Sequence, residues 1–541
     1  MSCIRRLSTI GKRYFSKNWN YNQFVDEVFK NDLFLQVIFP QRDEYAEEIS
    51  IKNFTDKIID SAFIRPPKLE HELERIVRTE GIYKSEEFAK LNNDDFIQKI
   101  LKPSPEAVAR FQAYRPPSQD DFLLQKGKEA GVKFITGSSS ITSAMQQIYY
   151  TISNFKSPDV TGLAKNYDNQ NMNYMSAYRK PTTLMLRKVD QNLYAIDGDH
   201  GPLPTSNEAL TTMGIVLETM FTTEKELFKR VMDPTVEISK EDMEILHSSS
   251  RSYRYRQLGN ILVRSQIDCE SVSETGEYFV FEIKTRACAP IRYDVKNWEN
   301  YLDYKIETRT GVHSSYEREY FDLCRSILLK YFFQIKMGRM DGAFVAYHNL
   351  QELFGYEYMR LEEMEKRLFG GSDFADQILK SCACILQDAL QDAIALFPND
   401  PMLKIGFYAM YRSDELFITI ERFDEMEQWN DHTKQIEGIE DELDYYEAFH
   451  PGKTAYTLGR RFYPHINGIL QKEPLFLEPG DKFSIKQIKY TKGTMAYNEY
   501  MYFLHSAYKI DTLAHHKDFA GLWKKFNDFH IYRKPLYRES S

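Results

Sequence analysis

Residues 260–270, NILVRSQIDCE, and 278–285, YFVFEIKT, are separated by the polar link SVSETGE (271–277). Side chains on an extended strand alternate between its two faces. In the first segment Ile261, Val263, Ser265 and Ile267 therefore share one side, with Leu262, Arg264, Gln266 and Asp268 on the other. In the second, Phe279, Phe281 and Ile283 make an apolar side opposite Val280, Glu282 and Lys284. A link this short predicts antiparallel pairing, which brings Asp268, Glu282 and Lys284 to one face. Two carboxylates and an ammonium on a half-buried sheet are costly unless a metal or a reaction uses them.

Outward from this stretch the periodicity is clear. Upstream, NEALTTMGIVLETMFTTEKELFKRV predicts a helix over 207–232 with Leu210, Met213, Leu217 and Met220 on one side. Strands are expected at 253–268, 278–286 and 342–347, and a long helix at 316–337 striped by Tyr320, Leu323, Ile327, Tyr331 and Ile335. Further off, TLMLRKV-DQN-LYAI reads as a hairpin from 182, as does 404–422. A helix over 373–397 starts after Gly370-Gly371 and stops before Pro398. Residues 18–130 read as helices broken at Pro66-Pro67 and Pro116-Pro117, and 421–448 as an acidic surface or linker.

The chain has 541 residues, enough for about three or four domain-sized units. Its six cysteines are too few for a disulfide scaffold of that length, and no apolar run is long enough for a membrane span. The net charge of -9 excludes a global basic field, so any nucleic-acid contact must be a local groove. The first acidic residue is Asp26, and Arg5, Arg6, Lys12, Arg13 and Lys17 precede it. That composition predicts a mitochondrial presequence over 1–15, cut before Ser16; a basic tail is the plainer alternative.

Asp268, followed fourteen residues later by Glu282-x-Lys284, resembles the PD-(D/E)XK nuclease pattern, with Ile267 where the pattern has Pro. Mg²⁺ takes hard oxygen ligands. Asp268 and Glu282 would supply them, with Mn²⁺ as the alternative ion, while Lys284 would orient or deprotonate the attacking water and stabilise the phosphate charge. The order helix, three strands, helix, strand over 207–347 matches that fold's core. Glu218 on the first helix and Gln334 on the second stand where such nucleases carry an added metal-linked Glu and a Gln, or are ordinary boundary residues. Arg254, Arg256, Arg264 and Arg286, with Tyr255 interleaved, would hold the phosphates of single-stranded RNA and stack on its bases, or be plain sheet surface.

The blocks GSSSITSAM (137–145), VRSQIDCE (263–270), FEIKTRA (281–287) and KMGRMDGAFVAYHN (336–349) resemble the fungal mitochondrial RNA-processing factors of the "petite" complementation type. The resemblance implies an α/β protein, mixed α+β overall. Its PD-(D/E)XK restriction-endonuclease-like core would occupy 136–350, between a helical N-terminal region (16–135) and an α+β C-terminal region (351–541). It implies 5′→3′ exoribonuclease activity in mitochondrial RNA 5′-end processing and turnover, with Asp268, Glu282 and Lys284 catalytic. It also implies other RNA-processing proteins as partners and peripheral association with the matrix face of the inner membrane. A non-catalytic scaffold binding RNA or a protein partner, and a mitochondrial DNA nuclease, are the rival readings.

Overall fold

The structure, a computed structural model, is described for residues 46–422 and 454–496 apart from 60–63, 78, 93–94, 112–113, 165–166, 168–171, 176–177, 200–207, 248–251, 274, 410–414, 472–474 and 476–479. The expected presequence and nearly all of the acidic stretch 421–448 lie outside these residues.

Two sheets carry the fold. The larger runs β1 (Ala46–Glu48), β17 (Phe483–Ala496), β15 (Thr454–Ile466), β14 (Glu415–Arg422), β13 (Met402–Ala409), β5 (Thr182–Asp190), β6 (Leu193–Gly198), β4 (Phe134–Gly137), β8 (Ile261–Gln266), β7 (Tyr253–Leu258), β2 (Asp56–Ile59), with β16 (Ile469–Leu470) paired to β15. The smaller runs β3 (Ile82–Lys84), β12 (Leu353–Arg360), β11 (Gly342–His348), β10 (Tyr278–Ala287), β9 (Cys269–Val272). The hairpins expected from 182 and at 404–422 are present as β5–β6 and β13–β14. The region expected to be helical also contributes β1, β2 and β3, which pair with β17, β7 and β12.

The helices that frame the smaller sheet differ from expectation in two ways. The 207–232 helix is two, α3 (Glu208–Thr222) and α4 (Lys225–Met232), because the Glu224 carboxylate caps the second by accepting from the Glu226 and Leu227 amides. The 316–337 helix is also two, α6 (Tyr316–Ser326) and α7 (Leu328–Gly338), divided at Ile327. Earlier in the chain α1 (Asp121–Ala130) and α2 (Ser138–Ile152) flank β4, and α5 (Ala289–Tyr293) follows β10. Later, α8 (Leu361–Phe369) and α9 (Ser372–Leu396) follow β12.

The strand expected over 253–268 is a hairpin, β7–β8, closed by Gly259-Asn260 with Leu258 opposite Ile261. Gly259 has φ +59, and a Cβ there would lie 2.6 Å from the Gln387 side chain. Glycine serves both needs. β8 therefore belongs to the larger sheet, and the chain changes sheets at Ile267-Asp268 before pairing 269–272 with β10.

β10 lies inside the smaller sheet, antiparallel to β9 and parallel to β11. A parallel neighbour needs a crossover, supplied by α5, α6 and α7. Phe221 of α3 packs edge-on against Phe344 and Tyr356 on one face. α7 packs on the other, and also touches β7 and β8 of the larger sheet. The two helical stretches therefore lie on opposite faces of the smaller sheet, and α7 covers the face that bears Glu282 and Lys284. One continuous apolar core runs from Ile148 and Phe333 to Phe344 and Leu390.

Candidate active site

Glu282 and Lys284 are two apart on β10 and so project to one face. Asp268 lies one step beyond the Cys269–Phe281 pair of the β9–β10 register, which sets it across from Glu282. Its carboxylate accepts from the Ile283 amide at 3.0 Å and from Gln266 Nε2 at 3.3 Å. Glu282 Oε1 accepts from Lys284 Nζ at 2.5 Å and from Gln334 Nε2, and the Lys284 ammonium stands 5.7 Å from the centre of the Tyr331 ring. Asp268 and Glu282 are buried, while the Lys284 side chain keeps 21% of its exposure and so can be reached from solvent.

Glu218 on α3 joins the same electrostatic group. Burial, then the Glu282 and Glu218 carboxylates, push the Asp268 carboxyl well above its usual range, with Lys284 opposing. Burial likewise pushes Glu218 up to about 7; Lys284 works against the rise and Glu282 adds to it. For Lys284 burial disfavours the charge, but Glu282 and Asp268 more than offset it and hold the ammonium above its ordinary range. The residues expected to be catalytic, Asp268, Glu282, Lys284, Glu218 and Gln334, are thus brought together. Gln266 and Tyr331 belong to the group as well. The one signal for Gln266 was its position two before Asp268 on the same strand side, and Tyr331 reads from sequence only as part of an apolar stripe.

Among the described residues no three His, Cys, Asp or Glu side chains form a ready-made metal cage. The donor set nevertheless fits a divalent cation. Glu282 Oε2 is buried and accepts no hydrogen bond, and it sits among acids whose ionised forms repel. A buried carboxylate oxygen without a donor is costly, and a hard cation relieves both problems.

The expected RNA contacts fare differently. Arg254 Nη1 donates to the carbonyls of Gly338 and Arg339 at 2.9 and 2.6 Å, closing the C-terminal end of α7. Arg256 is buried against the Asp56 carboxylate at 2.7 and 2.8 Å and donates to the Lys336 carbonyl. Arg264 is buried against Asp120 and the Arg115 carbonyl. Tyr255 is buried with Leu123, Ile135 and Leu262, its ring against Phe122. These four are used inside the molecule. Only Arg286, on the face of Glu282 and Lys284, stands beside the site.

A buried Asp across from Glu-x-Lys on an inner strand, with a parallel neighbour strand and a helix on each face, is the arrangement expected from the PD-(D/E)XK pattern, within a mixed α/β protein. The chain belongs to the family described as Mitochondrial protein Pet127, whose sequence profile matches residues 114–391, and it is a mitochondrial protein. It is 32% identical over 317 residues to a Schizosaccharomyces pombe protein named "mRNA degradation protein pet127, mitochondrial", covering 57% of this chain and 58% of that one. It is 37% identical over 254 residues to a Saccharomyces cerevisiae protein named "Putative mitochondrial translation system component PET127", covering 46% and 29%. The chain therefore spans only part of these relatives' lengths. Among solved structures, K. lactis Dxo1 in complex with manganese gives a TM-score of 0.33 at 10% identity over 72% of this chain and 97% of its own. Scheffersomyces stipitis Rai1 gives 0.30 at 13% over 59% and 78%. Scores this low do not define a common fold.

Among the described residues no helix is long and apolar enough to cross a membrane.

Proposed function

We propose that the chain is a metal-dependent ribonuclease that degrades single-stranded mitochondrial RNA from its 5′ end. The observation that carries the reading is the Glu282 carboxylate. Lys284 and Gln334 fix one of its oxygens, and the other is left buried without a donor, beside Asp268. A structural ion pair would have no reason to leave that oxygen bare. The 5′→3′ direction is supported by the family resemblance.

Asp268 and Glu282, with Glu218 behind them, are the residues that would hold Mg²⁺ or Mn²⁺. When bound, such an ion polarises a phosphoryl oxygen and lowers the pKa of a coordinated water. The Ile283 amide keeps the Asp268 carboxylate turned toward Glu282. Gln334 fixes the Glu282 rotamer from α7. Lys284, held by Glu282 and backed by Tyr331, presents its ammonium to the phosphate, where N–H donors stabilise the charge that grows in the transition state.

The test is incubation of purified protein with end-labelled RNA and DNA, linear and circular, with and without Mg²⁺ or Mn²⁺. Metal-dependent trimming of linear RNA with circles spared supports the reading. Cleavage of circles makes the enzyme an endonuclease; preference for DNA changes the substrate; no cleavage by wild type leaves an RNA-binding scaffold.

A further inference from the structure

Gln266, whose amide donates to Asp268, is partly exposed and stands directly opposite Tyr253 across the β7–β8 hairpin. Opposed residues on paired strands share a face, with Cβ atoms about 5 Å apart. The acidic site is thus continuous with the face of β7 that bears Tyr253. The buried Arg264 guanidinium lies 4.8 Å from the centre of the Tyr253 ring and is itself pinned by Asp120 and the Arg115 carbonyl. One face of the ring is therefore backed by a fixed cation, while the side chain keeps part of its exposure.

Tyr114 and Arg115 lie within electrostatic reach of the Tyr253 hydroxyl. Tyr114 is 52% exposed, and its hydroxyl stands 3.2 Å from that of Ser140 in the first turn of α2. Arg115 is exposed, and its side chain enters no hydrogen bond or ion pair among the described residues. Two residues along β7, Tyr255 meets the ring of Phe122, which is 46% exposed, at 5.4 Å. Clustered exposed aromatics mark a contact surface. Asp120 is consumed by Arg264, so the open charge beside Tyr253 is the Arg115 cation. Rings flanked by a cation suit an unpaired, negatively charged strand: bases stack on the rings while the cation holds the backbone.

We propose that Tyr253 and Tyr114 form a stacking shelf for unpaired bases of the substrate RNA on its way to Asp268, with Arg115 holding a phosphate beside them; this rests on the nuclease reading above. The ligand chemistry is an unpaired nucleobase of any identity, because every base presents a π face. A base inside a duplex has both faces covered by its neighbours, so the shelf selects single strands.

The experiment is fluorescence anisotropy of the full chain with 3′-labelled oligouridylate and with an abasic ribose-phosphate strand of the same length, in EDTA so that nothing is cut, over a range of salt. Tyr114→Ala and Tyr253→Leu should each weaken oligouridylate binding about tenfold, as for loss of one stacked base. The salt dependence should not change, because no charge is removed, and binding of the abasic strand should stay at its wild-type level. Tyr114→Phe and Tyr253→Phe keep the ring and should bind as wild type. Arg115→Gln should instead weaken both strands and flatten the salt dependence by ~0.7 in log–log slope, the share of one phosphate on a single strand; an unaltered slope overturns the phosphate contact. Tyr114 is exposed, so its variant tests the shelf even where Tyr253→Leu does not fold. Wild-type affinity in Tyr114→Ala, or a loss of equal size on the abasic strand, overturns the shelf. Failure of the nuclease reading looks different: wild type would cut no RNA with any metal, while the ring-dependent preference for bases persisted.

Discussion

The backbone amide of Ile283 donates to the carboxylate of Asp268 at 3.0 Å. The bond ties the point where the chain leaves the larger sheet to the strand that bears Glu282 and Lys284. It sets Asp268 beside Glu282 with Glu218 in electrostatic reach, where burial disfavours the charged forms of Asp268 and Glu218.

Asp268→Asn should abolish metal-dependent RNA cleavage, with a loss of at least ~10²–10³ in rate, while RNA binding in EDTA stays near wild type. Without metal the variant should melt at or above the wild-type temperature, because one of three mutually repelling carboxylates is gone. Mn²⁺ should raise the melting temperature of wild type, as any ligand of the folded state does, and leave the variant unmoved. A variant that cleaves normally and still gains stability from Mn²⁺ would exclude Asp268 as a ligand.

Gln334→Ala removes the amide that orients Glu282 but no charge. Loss of a side chain supporting a metal ligand commonly costs ~10–100-fold in metal affinity or activity. The expected result is a rate reduced in that range, partly restored by raising Mn²⁺, with an unchanged melting temperature. A rate independent of this substitution at low metal would remove Gln334 from the site.

Arg256 separates a structural role from an RNA-binding one. Breaking its buried pair with Asp56 and its bond to the Lys336 carbonyl should destabilise the protein by ~3 kcal/mol. Arg256→Ala should therefore show a lower urea midpoint, with the salt dependence of RNA binding by the folded fraction unaltered. Normal stability with a flatter salt slope would restore Arg256 to the RNA-contact set.

His348 sets an acid limit on stability. It is fully buried at the end of β11, its Nδ1 accepts from the Leu350 amide at 3.1 Å, and burial pushes its pKa down to about 3. The folded state binds this proton less readily than the unfolded state. The stabilising contribution is therefore complete above pH 6.5 and is lost as pH falls from there towards 3. Its share of the slope approaches about 1.4 kcal/mol per pH unit. Urea denaturation of wild type and His348→Gln at pH 7, 6 and 5 checks this; parallel pH trends would show that His348 contributes nothing.

Much was legible because short-range rules decide it. Strand alternation alone puts Glu282 and Lys284 on one face, and helical spacing alone draws the stripe of 316–337 and the limits of 373–397. The β7–β8 turn was also legible in principle: Gly259-Asn260 between two alternating runs is a two-residue hairpin signal. A single strand over 253–268 overlooks it, and with it the change of sheet at Ile267-Asp268.

By itself, then, the sequence determined the triplet Asp268, Glu282 and Lys284, the face it shares and the family to which the chain belongs. Tertiary structure alone decided which polar side chains were free to act. Arg254, Arg256 and Arg264 carry the same alternating pattern whether they face water or the interior. They are consumed by the C-terminal carbonyls of α7, by Asp56 and by Asp120, groups 84 to 200 residues away along the chain. Gln334 bonds Glu282 and Glu218 comes within its electrostatic reach because α7 and α3 close on one sheet from opposite sides. Local periodicity fixes the direction of a side chain relative to its own backbone; what stands opposite it depends on packing between distant segments.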